Sequence, residues 1–117
     1  MSNEWIKKTL ASLGLNELDA EIYIFLAKNG PQKAKDIASS LKLNRKKLYF
    51  RLKSLQDRGV VISSKERPAR FSAATFEKVL EYFLEAKREQ QQSLQNSKDD
   101  LLSTWRALIK RDFVNNS

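Results

Sequence analysis

The sequence predicts a mainly α-helical fold with a small β-hairpin. Apolar residues recur at helical spacing through four segments up to residue 58, short β-prone runs follow between residues 60 and 73, and helical spacing then returns to about Phe113. With 117 residues, 41% hydrophobic and 31% charged, the chain has the apolar material for a compact core.

The first helix is predicted over residues 3–13, with Trp5, Ile6, Leu10 and Leu13 near helical spacing and Gly14 as its stop. Asn16 caps the second, and Glu17 and Asp19 in its first turn suit the positive end of the helix dipole. Leu18, Ile22, Phe25 and Leu26 make its apolar face, and Asn29-Gly30-Pro31 ends it. A short third helix covers residues 33–41, with Ile37, Ala38 and Leu41 inward. Only Lys42 and Leu43 separate it from Asn44, the cap of a fourth helix that runs to about Arg58 and closes at Gly59. Leu48, Leu52 and Leu55 form one stripe along that helix. Two helices joined by so tight a turn make a helix-turn-helix. Residues 60–64 and 70–73 are β-prone and flank a basic tip at 65–69, which reads as a hairpin. A helix-turn-helix followed at once by such a hairpin is the winged-helix arrangement.

From Phe76 onward Leu80, Lys87, Leu94, Leu101 and Leu108 fall at sevens, beside Phe76, Phe83, Gln90, Ser97 and Thr104. Trp105, with Leu102, Ile109 and Phe113, widens the stripe. One unbroken helix is favoured, roughly 57 Å long at 1.5 Å per residue; a break at Asn96-Ser97 is the rival, because Ser97 followed by Asp99 and Asp100 is a capping pattern. A helix of that length and pattern implies a partner chain. Two parts are expected: residues 1–75, the winged helix-turn-helix, and residues 76–117, a coiled-coil-like dimerisation segment through Leu80, Phe83, Leu94, Leu101, Trp105 and Leu108.

Composition excludes most chemistry. The chain contains no cysteine and no histidine, so thiolate nucleophiles, Ser-His-Asp arrangements and the usual zinc ligands are absent. Its three glycines are scattered singly, which leaves no phosphate-cradling glycine loop. No enzyme activity, metal or cofactor is expected. No apolar run approaches a membrane span and the first residues lack a signal-peptide core, so the expected location is cytoplasmic.

The net charge of +8 is confined to one stretch. Residues 1–41 and 71–117 are each neutral, whereas residues 42–70 hold ten basic residues against Asp57 and Glu66. A basic segment between neutral flanks is the footprint of a polyanion site. At 100° per residue, Lys46, Phe50 and Lys53 point away from the leucine stripe of the fourth helix, with Lys47 and Ser54 beside them and Arg45, Tyr49 and Arg51 on the flanks. That division suits a recognition helix, anchored by one face and offering long donors to the major groove with the other. Asn44, Arg45 and Lys46 sit at the end that such helices usually insert. Phe50 is either a contact to thymine methyl groups or a protein–protein contact. Lys33 and Lys35 start the third helix, where a phosphate is often clamped. Lys65, Arg67 and Arg70 of the hairpin would follow the backbone or enter the minor groove.

The stretch from Leu13-Gly14-Leu15 through Tyr23, Gly30-Pro31, Asp36-Ile37-Ala38, Leu48-Tyr49, Leu52-x-x-Leu55 and Gly59-Val60-Val61 to Arg67-Pro68-x-Arg70-Phe71 resembles the DNA-binding domain of the TrmB family, winged-helix transcription regulators found mainly in archaea. The resemblance covers about residues 13–75. It implies a chromosome-associated regulator whose partner is double-stranded DNA. Full-length members carry a large C-terminal domain that binds sugars, and no small-molecule effector is evident in this sequence. Lys33 stands where a Ser or Thr cap is common, and Phe50 and Arg51 replace residues more often aliphatic and polar, so the family's target sequence does not carry over. The expected function is that of a homodimeric, sequence-preferring DNA-binding regulator. The alternatives are an architectural chromatin protein and a winged-helix module whose Phe50 face binds protein.

Overall fold

The computed structural model describes the backbone of residues 3–116 and the side chains of residues 4–110. The elements run α1 (Asn3–Ser12), α2 (Glu17–Asn29), β1 (Gln32–Lys33), α3 (Ala34–Leu41), α4 (Arg45–Asp57), β2 (Val61–Ser63), β3 (Arg70–Ala73), α5 (Phe76–Asn96) and α6 (Lys98–Asn116). The chain divides into two compact units, Met1–Tyr82 and Phe83–Ser117, and the division falls inside α5.

In the first unit the helix ends follow local chemistry. The Asp19 N–H donates to Asn16 Oδ1 at 2.7 Å, and Asn44 Oδ1 accepts from the N–H groups of Lys46 and Lys47 at 2.8 and 3.3 Å. Between α3 and α4, Lys42 takes a left-handed conformation (φ 56°) and the Leu43 N–H donates back to the Ala38 carbonyl at 2.9 Å, which turns the chain within two residues. Gly59 (φ 73°) ends α4 in the same manner, with the Val60 N–H on the Leu55 carbonyl.

The three strands form one antiparallel sheet in the order β1-β3-β2. The hairpin pairs Val61 with Ala73 and Ser63 with Phe71, as the β-prone runs predict. Across the wing, the Ser64 N–H donates to the Arg70 carbonyl at 2.8 Å and the Arg70 N–H to Ser64 Oγ at 2.9 Å. The sequence pattern does not predict β1: Gln32 and Lys33 carry no periodicity, Lys33 reads locally as the start of α3, and only pairing with β3 makes the two a strand.

The core gathers Leu10, Ile22, Leu26, Ile37, Leu48, Leu52, Leu55, Val60 and Val79, each at most 1% exposed. The α4 stripe is buried as expected. In α2 the buried set is Asp19, Ala20, Ile22, Tyr23 and Leu26, while Leu18 and Phe25 are half-buried; Leu41 is half-buried too. Inside this core the Tyr23 hydroxyl donates to the Ala74 carbonyl at 2.7 Å, tying α2 to the end of β3.

In the second unit the single helix favoured from the heptads is replaced by two. The Ser97 N–H donates to the Ser93 carbonyl at 3.0 Å, the Leu101 N–H donates to the Ser97 carbonyl at 2.8 Å, and Ser97 itself is a turn. These i→i−4 bonds run on across Ser97, and Asp99 and Asp100 occupy the first turn of α6, at the positive end of its dipole.

Candidate nucleic-acid interface

The leucine face of α4 fixes what its other face presents. With Leu48, Leu52 and Leu55 inward, the side chains of Arg45, Lys46, Lys47, Tyr49, Phe50 and Lys53 are exposed and Ser54 is half-buried. Asn44 is exposed, but its side-chain oxygen serves as the cap of α4. Lys65, Arg67 and Arg70 are exposed on the wing, where Arg70 Nε lies 3.6 Å from Glu66 Oε2, a loose surface pair of little energetic weight.

Three elements then meet at one groove. Lys33, Ala34 and Lys35 from the start of α3, Arg45 and Tyr49 from the start of α4, and Pro68, Ala69 and Phe71 from the wing line a cavity of about 320 Å³. The missed strand creates this arrangement, because its register sets Lys33 directly opposite Arg70. Like charges across a strand pair are unfavourable unless an anion sits between or beside them. Lys33 occupies the N-cap position of α3 with extended backbone, and its ammonium, a donor without an acceptor, cannot cap the first-turn N–H groups. Tyr49, 53% exposed, adds a hydroxyl to this rim. Sequence reasoning placed it on a flank of the helix and gave it no role; an aromatic one turn after Arg45 was the available signal.

Arg51 departs from the expected contact set. Its Nε donates to Asp19 Oδ1 at 2.8 Å and its Nη2 to Asp19 Oδ2 at 2.7 Å, and Arg58 Nη2 reaches the same Oδ2 at 3.2 Å. The Asp19 side chain is 1% exposed, whereas that of Arg51 is 20% exposed. The bidentate geometry matches a planar guanidinium to a planar carboxylate, the strongest form of such a pair. Hydrogen bonding to Asp19 holds the Arg51 guanidinium above its ordinary pKa, ahead of the opposing effect of burial. Arg51 is thus a bracket between α2 and α4 and not a free donor. The Arg51 guanidinium carbon also lies 5.7 Å from the centre of the Phe50 ring, within cation–π range.

In the second unit Leu84, Leu94, Leu101, Leu102, Trp105, Leu108 and Ile109 are exposed. Phe83, expected on the dimer seam, is 5% exposed in the single chain, and Leu80 is half-buried. Trp105 of the expected seam is exposed one turn after Leu101, and Leu84 is an exposed apolar residue of α5 that the expected seam did not include. The Phe113 side chain lies outside the described residues.

Among the described residues, no helix is long and apolar enough to cross a membrane. Solved structures share the fold at low identity. TrmBL2, an archaeal chromatin protein, is 24% identical with a TM-score of 0.70, covering 93% of this chain and 44% of its own. The chain thus spans less than half of that protein's length. The ST1889 protein of Sulfolobus tokodaii is 21% identical with a TM-score of 0.63, over 80% of this chain and 99% of its own. The transcriptional regulator Tm0710 of Thermotoga maritima is 17% identical with a TM-score of 0.57, over 91% of this chain and 84% of its own. No curated protein matches the sequence. The family model described as sugar-specific transcriptional regulator TrmB matches residues 10–77, more than half of the chain, from the end of α1 to the start of α5. On that match, the chain belongs to the TrmB family of transcription regulators.

Proposed function

We propose that the chain acts as a homodimeric regulator that binds double-stranded DNA with a sequence preference. In this reading α4 enters the major groove, with Arg45, Lys46, Lys47 and Lys53 reaching base edges and phosphates, and Lys65, Arg67 and Arg70 of the wing follow the backbone or enter the minor groove. The observation that carries it is the groove where Lys33, Lys35 and Arg45 converge with the base of the wing. Its charged lining has one sign, and it lies at the mouth of the helix that helix-turn-helix proteins insert. Exposed apolar residues of α5 and α6 join two copies, and the place of action is the chromosome.

A second reading, an architectural protein with little sequence preference, is favoured by the fold shared with the chromatin protein TrmBL2. Titration of selected and random duplexes at several salt concentrations separates the two. A regulator prefers its best site by roughly 10³-fold or more at physiological salt. A preference below about tenfold, with footprints that spread along the DNA, selects the architectural reading. Either way affinity falls steeply with salt, with a log–log slope of about −0.9 for each phosphate neutralised. A chain that binds no duplex overturns both.

A further inference from the structure

We infer that Phe50 is a specificity-determining residue that reads the methyl group of thymine in the major groove. The inference rests on the DNA-binding reading above and deepens it. Phe50 is 71% exposed, more than any other large hydrophobic side chain among the described residues. It stands opposite the buried leucine stripe, between Lys46 one turn before it and Lys53 one turn after. An apolar ring between two solvated lysines contributes nothing to the core and costs apolar exposure in water.

The ring also has a fixed neighbour: the Arg51 guanidinium lies 5.7 Å from its centre, within cation–π range, and that guanidinium is fixed by two hydrogen bonds to the buried Asp19 carboxylate. Phe50 is thus an apolar knob among the exposed cations Arg45, Lys46, Lys47 and Lys53. On its other side Lys53, Ser54, Asp57 and Arg58 share an open hollow of about 460 Å³ with the ring, which leaves room for the edge of a base pair.

A duplex offers such a knob little that is apolar. Phosphates are charged, and the base edges in the major groove present donors and acceptors except at one place, the C5 methyl group of thymine. Lys46 and Lys53, gripping polar or anionic groups on either side, would hold the ring against that methyl. Preferred sites therefore carry thymine opposite the middle of α4.

The test uses duplexes enriched from a random pool by the wild-type chain, resynthesised with uracil for thymine so that only methyl groups are lost. Wild-type affinity should fall about four-fold for each contacted methyl. Phe50→Ala should bind the thymine and uracil duplexes equally, with an unchanged melting temperature because the ring is exposed. Phe50→Leu should keep part of the discrimination, and Lys53→Ala should weaken both duplexes alike. Equal wild-type affinity for the two duplexes overturns the inference, and so does discrimination that survives in Phe50→Ala. A chain that binds no duplex overturns the function itself, whereas duplex binding blind to the methyl groups overturns this inference alone.

Discussion

Asp19 and Arg51 meet through two parallel hydrogen bonds, 2.8 Å from Nε to Oδ1 and 2.7 Å from Nη2 to Oδ2. The pair joins the first turn of α2 to the middle of α4, and Arg58 adds a contact to Asp19 and another, at 3.2 Å, to the Gly14 carbonyl. Helix α4 is therefore held at three points: by its leucines, by Arg51 and by Arg58. Such a bracket sets the rotation of α4, and with it the face turned outward. Arg51→Met should destabilise the fold by about 3 kcal/mol, since it leaves Asp19 buried with Arg58 alone. Urea unfolding measures this. The salt slope of duplex affinity should stay at the wild-type value, because Arg51 neutralises no phosphate; a smaller slope would put it back among the DNA contacts.

Lys33 gives a prediction with opposite signs in two assays. It holds the N-cap position of α3 without a side-chain cap hydrogen bond. Lys33→Ser supplies an acceptor for the free N–H groups of the first turn and should stabilise the fold by about 1 kcal/mol. It also removes one of the cations that line the groove, so duplex affinity should fall and the salt slope shrink by about one. Thermal melts and a salt titration read the two effects. A stabilised variant with undiminished affinity would show that the lysine has no phosphate to hold.

How far the sequence reached depended on whether the deciding interaction was local. Asn16 and Asn44 cap their helices with neighbours two or three residues away, and both caps are legible from the chain alone. Asp19 reads as a dipole residue for the same reason, since its local position at the start of α2 is all a window of sequence contains. Its burial depends on Arg51 and Arg58, 32 and 39 residues later, which no periodicity reports. The Lys33–Arg70 pairing is non-local in the same way, so each lysine and arginine of the groove was identified singly while their convergence was not. At Ser97 the heptad and the capping pattern are both local and opposed, so the sequence alone does not decide between one helix and two.

Tyr23 makes stability depend on alkaline pH. Burial raises its phenol above the ordinary value near 10, and its hydroxyl donates to the Ala74 carbonyl at 2.7 Å. The folded state thus keeps the proton more tightly than the unfolded chain. The contribution is complete below about pH 10 and is lost as pH rises through the higher folded value. Tyr23→Phe should lose about 1–2 kcal/mol at neutral pH, because it leaves a buried carbonyl without its donor. Between neutral pH and the alkaline range its stability should fall less than that of the wild type. Denaturant midpoints across that range compare the two proteins; parallel curves would mean the phenol titrates freely in the fold.

The exposed apolar residues of the second unit lead to an oligomer prediction with consequences for DNA. Leu101, Trp105 and Leu108 recur at helical spacing, with Leu102 and Ile109 adjacent and Leu94 one heptad before Leu101; all six are exposed in the single chain. Each is about half exposed and so forgoes about half of the 1.5–3 kcal/mol that full burial of such a side chain contributes. A second copy covers the stripe without any new surface chemistry, since a two-fold axis sets each leucine row against its equivalent. Trp105 lies one turn after Leu101, so it should become protected from quenchers in the dimer. Two-fold symmetry then sets both α4 helices against one duplex, with half-sites about 10–10.5 bp apart or a multiple of that. Leu101→Lys with Leu108→Lys should give monomers, measured by sedimentation at tens of micromolar protein, in which the winged unit melts as before. Those monomers should bind a single half-site weakly and lose the dependence on half-site spacing. A wild-type chain that sediments as a monomer at that concentration would remove the dimer, and the paired half-sites with it.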